Sequence, residues 1–514
     1  MNDWNEGYFT NSPYTFGYYR ELSPMHQKFV LLMNGIKSPE ISQDSIHCEL
    51  GFGQGVSIAI HAATNPGTYI GTDFNPAHAC QANDLLQSFS DDPRTKFFDD
   101  SFEELYNRDL PQFDSISLHG IWSWVSEENR QMILKFARKF LKPGGIFYNS
   151  YNTFPGQATK AQLRELLILH DKFSESNSST EKRVKDAFDF IQRFVDTNPK
   201  LLQAFPNFSQ LVETESKNDP NYIAHEYLNL DWDCMYFSEV AEKMSTAKLD
   251  FACSAELIDV YEPFNYSEQA LEYLQTIDNP TLKQQMKDYF LNRVFRKDLY
   301  IRGLRRLSAL EYSEQISKVR FVFTIPIEKI PREFSMIVGK VTFDDDTLDR
   351  IAECLTSENF RPKSFAEISS KVPKTPVQSL LPILCLLIHQ KYIAQCQSDD
   401  VIRSVKKKST ALNRYIARRA GIDGNIRFLS SPVTGLGVPS NSMELMFIDS
   451  MYRGRKHSLD LARDVWQIMF RKGDRVIIEG RRLESEEENI AEIEKSAQTF
   501  LDNRLPIFRA LQII

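Results

Sequence analysis

Between residues 45 and 152 short apolar runs alternate with helical stretches, and this alternation constrains the fold more than any other feature of the chain. Ile46–Leu50, 69–73, Lys96–Phe98, Phe113–Leu118 and 146–150 read as strands, and 56–63, 77–88 and 129–140 as helices. Asn65-Pro66-Gly67 and Lys142-Pro143-Gly144-Gly145 supply the breaks. Strands spaced by helices in this way form βαβ units with right-handed crossovers. The segment therefore predicts an α/β fold with a mostly parallel sheet. Ligands of such sheets sit at the carboxyl ends of the strands.

At the first of those ends stands Glu49-Leu50-Gly51-Phe52-Gly53-Gln54-Gly55. Glycines here let the backbone turn tightly and let a ligand lie against main-chain N–H groups. A dinucleotide site would read G-x-G-x-x-G, whereas this loop is G-x-G-x-G with a carboxylate two residues before the first glycine. A pyrophosphate gains nothing from that acid. A ligand with a cationic end does, and S-adenosylmethionine carries an ammonium and a sulfonium but no phosphate. Asp73 follows the second strand, 24 residues after Glu49, where a carboxylate suits a ribose diol or caps the next helix. After the third strand, Asp100 is placed to accept from an adenine amino group and the Ser101 N–H to reach a ring nitrogen.

Two further segments follow strands four and five: His119-Gly120-Ile121-Trp122-Ser123-Trp124-Val125 and Tyr151-Asn152-Thr153-Phe154-Pro155-Gly156. With Ser12-Pro13-Tyr14 and His225-Glu226-Tyr227-Leu228, these segments resemble the bacterial class I S-adenosylmethionine-dependent methyltransferases that carry a methyltransferase regulatory domain. The rickettsial-type outer-membrane-protein lysine methyltransferases belong to that group. The resemblance covers about residues 8–260. It implies a Rossmann-like methyltransferase domain with largely helical additional domains, S-adenosylmethionine as cofactor, a protein lysine as acceptor, and a homodimer. The expected divisions are 1–160 for cofactor binding, 161–305 for a helical regulatory and dimerisation domain, 306–400 for a middle domain and 401–514 for a C-terminal one.

On this basis Tyr14, Glu49, Gly51, Gly53, Asp73, Asp100, Ser101 and His119 are the expected cofactor contacts. His119, Trp122, Tyr151 and Asn152 are the expected catalytic residues, and no metal is expected. His119 would be a base for an alcohol acceptor but only a positioning group for lysine, or a core histidine bonded to a carbonyl. Trp122 and Trp124 would face the acceptor or pack in the core, with at most one of them at the site. Tyr151 and Phe154 would flank the methyl group. Asn152 would hold an amine or make an Asx turn. Aromatic walls suit an amine acceptor, because desolvation lowers its pKa and ring faces attract its methylated cation.

The remaining chain is less specific. The longest apolar run, 380–388, has nine residues against the roughly 18–20 that span a membrane, so no insertion is expected. The first residues lack the basic and apolar regions of a secretory signal, and seven scattered cysteines without a Cys-x-x-Cys pair fit reduced thiols. A cytoplasmic protein is expected. Residues 365–392 have a helix–turn–helix pattern, and seven basic residues follow within 403–419. The net charge of −8 and Pro382 inside the second helix favour a packing domain over a nucleic-acid reader. The alternatives are a methyltransferase acting on oxygen or nitrogen of a small molecule or saccharide, and a cofactor-binding regulator that contacts nucleic acid.

Overall fold

The computed structural model describes residues 15–174, 179–326 and 331–514. Seven strands form the central sheet: β1 (Ile46–Leu50), β2 (Thr68–Thr72), β3 (Lys96–Phe98), β4 (Phe113–Leu118), β5 (Leu141–Asn152), β6 (Asp250–Ser254) and β7 (Phe295–Ile301). Their order is β3-β2-β1-β4-β5-β7-β6. The first five run parallel, and β7 is antiparallel to both its neighbours. The strand order reverses between β1 and β4, and a ligand crevice belongs at that switch point.

Both faces are covered, which is why the central strands are apolar throughout. On one face Cys48, Leu50, Ile116, Leu118 and Phe147 pack with Phe136 and Phe140 of α5 (Glu127–Phe140) and with helix Phe237–Thr246. On the other, α1 (Pro24–Met33) joins Ile146, Tyr148 and Leu299 to the middle of the chain. The helices α2 (Val56–Thr64) and α3 (Pro76–Gln87) share a core with the C-terminal helices as far as Ile513.

Four features differ from the pattern read in the sequence, the first being that residues 142–145, expected as a break, run within β5. A short helix, α4 (Phe102–Asn107), follows β3 and is fixed by a capping box between Ser101 and Glu104. Within the stretch 161–305 expected to be helical, residues 267–291 form two helices, Glu268–Gln275 and Pro280–Leu291, because Asn279 caps the second just before Pro280. The strands β6 and β7 lie in a stretch that read as mostly helical; pairing along the β5 edge, a tertiary event, makes them strands.

In the C-terminal half the second helix of the helix–turn–helix pattern, Val377–His389, is buried from Leu380 to Ile388 apart from Pro382, which leaves it no face for a groove. The basic run lies on helix Asp399–Ala420, where Ile402, Val405, Leu412 and Ile416 face the core. Arg403 and Arg419 pair with Asp400 and Asp423. A hairpin of Phe428–Ser431 and Leu436–Pro439 reaches back to the N-terminus: the Gly437 N–H donates to Tyr18 Oη at 2.7 Å, and Ser23 Oγ donates to Gly435 O at 3.1 Å. Among the described residues no helix is long and apolar enough to cross a membrane.

Candidate functional site

A cavity of about 320 Å³ opens at the carboxyl ends of β1 to β5. The turn after β1 forms one wall. Gly51 has φ +72°, and a Cβ there would stand 2.3 Å from Ile121 Cδ1, so both backbone conformation and space require glycine. Gly55, at φ +74°, starts α2, and a Cβ on it would strike Ala82 Cβ at 2.4 Å. The loop is tied to β2 by Asp73, whose Oδ2 accepts from the Gly53 N–H at 2.8 Å. Its Oδ1 accepts from the Asn75 N–H at 3.1 Å and lies 3.0 Å from His78 Nδ1. The cap of α3 is Asn75, not Asp73.

Glu49 closes the inner end of this wall. It is 7% exposed and, among the described residues, has no hydrogen-bond or ion-pair partner. Burial, then the charge of Asp73, pushes its carboxyl up to about 8. Such a group is costly unless a cation meets it. Asp100 lines the cavity beyond β3 while Arg108 engages both its oxygens, one at 2.8 Å, with the guanidinium 4.1 Å above the Phe98 ring. Ser101 also lines the cavity, but the role expected for its N–H is corrected: that N–H donates to Glu104 Oε2 at 2.8 Å inside the capping box. The next N–H, that of Phe102, has no acceptor among the described residues and opens α4 at the cavity wall.

Across the cavity, beyond β4 and β5, stand His119, Trp124 and Asn152. His119 Nδ1 lies 2.7 Å from Tyr148 Oη and 3.2 Å from Ser150 Oγ, and its ring stacks on Tyr19 at 3.9 Å. Burial lowers its pKa to about 4, so the imidazole is neutral through the physiological range. Asn152 Oδ1 accepts from Gln157 Nε2 at 3.1 Å.

Two expected catalytic residues are corrected. Trp122 and Trp124 bracket one 3₁₀ turn, which sends Trp122 into the core, fully buried against α5, and leaves Trp124 on the cavity. Tyr151 points to the opposite face of β5 and donates to Asp298 Oδ2 at 2.8 Å. Phe154 packs on Tyr236 rather than on the cavity. Tyr14 lies outside the described residues. The segment that follows it does reach the site: Thr15, Gly17 and Tyr19 line the cavity, and the Tyr19 N–H donates to Ser57 Oγ at 2.9 Å.

Tyr19, Glu226, Asp231 and Phe295 are among the cavity residues that are not in the expected site set. The aromatic cluster at 14–19 was the available signal for Tyr19. Glu226 belongs to the His225-Glu226-Tyr227-Leu228 segment, which carries the family resemblance but no expected site role, and nothing local marks Asp231 or Phe295; the three come from helix Pro220–Tyr227, the loop after it and the start of β7. Glu226 Oε2 pairs with Lys160 Nζ at 3.1 Å, and Asp231 has no such partner among the described residues. Burial, then the charge of Asp233, pushes the Asp231 carboxyl up; burial, with the charges of Glu21 and Glu226, does the same to the Tyr19 hydroxyl. Altogether five carboxylates line the cavity, and among the described residues no lysine or arginine does.

Known proteins share this architecture. Residues 48–145 match the family described as methyltransferase domain, and residues 219–302 the predicted methyltransferase regulatory domain. An uncharacterized protein of Synechocystis is 33% identical over 513 residues, 99% of each chain. One from Rickettsia prowazekii is 24% identical over 329 residues, 63% of this chain and 58% of that one. Among solved structures, PKMT2 from Rickettsia typhi in complex with AdoHcy covers 98% of this chain and 99% of its own, with a TM-score of 0.72 at 20% identity, a likeness of fold.

Proposed function

Since the chain belongs to the family of S-adenosylmethionine-dependent methyltransferases that carry a methyltransferase regulatory domain, we propose that its acceptor is the side-chain amine of lysine in a protein. The cavity fits the cofactor. Glu49 is a buried carboxyl that lacks a cationic partner among the described residues, and the Gly51 turn leaves room where any side chain would meet Ile121. Glu49 would take the ammonium of the methionine part, Asp73 the ribose, and Asp100 with the α4 N-terminus the adenine. When bound, S-adenosylmethionine supplies an electrophilic methyl group on a sulfonium.

The observation that carries the lysine assignment is the lining of the cavity: five acidic side chains, two of them paired with Arg108 and Lys160, no lysine or arginine on the wall among the described residues, and the aromatic rings of Tyr19, Trp124 and Phe295 beside His119. Such a wall attracts a cation and desolvates it, and an amine with a free pKa near 10.4 must lose its proton before it can attack. His119 does not favour the competing alcohol acceptor. With a pKa near 4 it is a weak base at pH 7, and its bonds to Tyr148 and Ser150 make it a support for Tyr19.

Methyl-labelled cofactor incubated with the protein and a cell extract tests the assignment. Label recovered as methyl-lysine after acid hydrolysis of the protein fraction is expected; label confined to small molecules or saccharides refutes it. The assembly we infer is a homodimer through the helices after residue 156, a span that exposes Leu169, Phe173 and Phe190. Light scattering should then give twice the chain mass of 59.5 kDa. Seven free thiols favour a reducing compartment, in keeping with the cytoplasm.

A further inference from the structure

The five cavity carboxylates divide into two groups by origin. Glu49, Asp73 and Asp100 end or follow the first three strands, where the cofactor belongs. Glu226 and Asp231 come from the regulatory domain and line the same cavity. Glu226 shares the cavity wall with Tyr19, which stacks on His119. Asp231 adjoins Trp232, whose ring lies 6.2 Å from that of Trp124. The two acids and the rings of Tyr19 and Trp124 thus border the space beyond β4 and β5. Glu226 is held in place by Lys160, whose ammonium lies 4.8 Å over the Tyr227 ring. Asp231 has no hydrogen-bond or ion-pair partner among the described residues, although it is half-buried beside Asp233. Lys160 compensates Glu226 and Arg108 compensates Asp100, but among the described residues no cation pairs with Asp231, whose burial beside Asp233 is unfavourable without a ligand.

We propose that Glu226 and Asp231 are the acceptor-selecting residues of the enzyme: they receive the cationic side chain of the substrate and favour positive charge on its nitrogen as the methyl group arrives. The inference rests on the lysine assignment and names the residues that impose it. The chemistry explains why acids suit this position. The ammonium first releases a proton to solvent. A bond then forms from the neutral nitrogen to the methyl carbon while the carbon–sulfur bond breaks and its electron pair stays on sulfur. Positive charge moves from sulfur to nitrogen, and a second proton can leave afterwards. Carboxylates beside the nitrogen therefore stabilise the transition state more than the neutral amine that precedes it. The regulatory domain in this view completes the active site, and an acceptor without a basic nitrogen gains nothing from it.

The test uses the full chain with Glu226→Gln, Asp231→Asn and both together, and poly-L-lysine as acceptor. Affinity for S-adenosylhomocysteine, measured by calorimetry, should stay within twofold of wild type, because neither residue belongs to the strand ends assigned to the cofactor; this also reports folding. The KM for poly-L-lysine should rise at least tenfold in the double variant, with a smaller fall in kcat. Added salt should raise the wild-type KM more steeply than that of the variant. Asp231→Asn, at a half-buried position without partners among the described residues, gives the same direction with no loss of the Lys160 pair. KM and kcat within twofold of wild type in the double variant would overturn the proposal. A wild type that binds S-adenosylhomocysteine but transfers no methyl group to poly-L-lysine overturns the lysine assignment itself, and that failure is visible before any variant is made.

Discussion

Removing the charge of Glu49 should stabilise the free protein and weaken its cofactor complex, two effects of opposite sign from one atom pair. The folded carboxyl titrates near 8 rather than near its ordinary 4.5, because burial and Asp73 oppose its ionisation. The folded state therefore holds that proton more tightly than the unfolded chain. Its contribution to stability is complete below pH 4.5 and is lost as the pH rises towards 8. At pH 8 the loss amounts to about 4 kcal/mol, from 1.36 kcal/mol for each pH unit between the two pKa values. Glu49→Gln keeps the shape and never ionises, so it escapes that loss.

Buried His26, His47 and His119 titrate the other way, with pKa values lowered to about 4, chiefly by burial. The quantity to measure is thus the difference between wild type and Glu49→Gln at each pH. Chemical unfolding at pH 5 and pH 8 should give nearly equal stabilities at the first and a more stable variant at the second. In calorimetry the variant should bind S-adenosylhomocysteine roughly 10- to 150-fold more weakly, for a charge-assisted hydrogen bond worth about 1.5–3 kcal/mol. Wild-type affinity should climb with pH between about 6 and 7.5, by up to about tenfold per unit, as Glu49 gives up its proton to meet the ammonium; the variant should be flat. A variant no more stable at pH 8, with wild-type affinity and the same pH dependence, would falsify the role assigned to this carboxyl.

Other positions discriminate as sharply. Turnover should keep rising towards pH 9 without an inflection near 6.5, and His119→Gln should cost less than about tenfold in kcat; a plateau by pH 7.5 that collapses in the variant would make His119 the base. Trp122→Ala should destabilise the protein by about 3–5 kcal/mol in chemical unfolding, as a core truncation does. Trp124→Ala should instead leave the unfolding midpoint nearly unchanged and raise the KM of the acceptor; equal effects in the two variants would mean that the turn does not separate them. Gly51→Ala should abolish S-adenosylhomocysteine binding, and adding Ile121→Ala should restore only part of it, since the clash is relieved but φ +72° remains; full restoration would show that backbone strain is unimportant there.

The cofactor half of this protein was legible in one dimension. Glu49, Gly51, Gly53 and Asp73 lie within one βαβ unit, where strand ends and turn residues are local features, and the structure brings all four to one wall. Asp100 and Ser101 arrive there as well, but the Ser101 N–H is claimed by Glu104 three residues on, a competition that only the formed helix settles. The acceptor half was not legible. Whether Trp122 or Trp124 faces the cavity depends on a 3₁₀ turn, and Tyr151 was lost to Asp298, a residue of β7 that lies 147 positions away. Glu226 stands in a segment that carries the family resemblance without revealing a site role, and Asp231 and Phe295 come from segments whose local patterns signal only helix or loop. Their place at the cavity follows from β7 pairing with β5 and from the regulatory segment folding back over it. Local chemistry is written in the order of residues, because backbone conformation and capping act over a few positions. Which distant side chains complete a site is decided by packing, because burial and strand pairing choose partners by surface rather than by sequence.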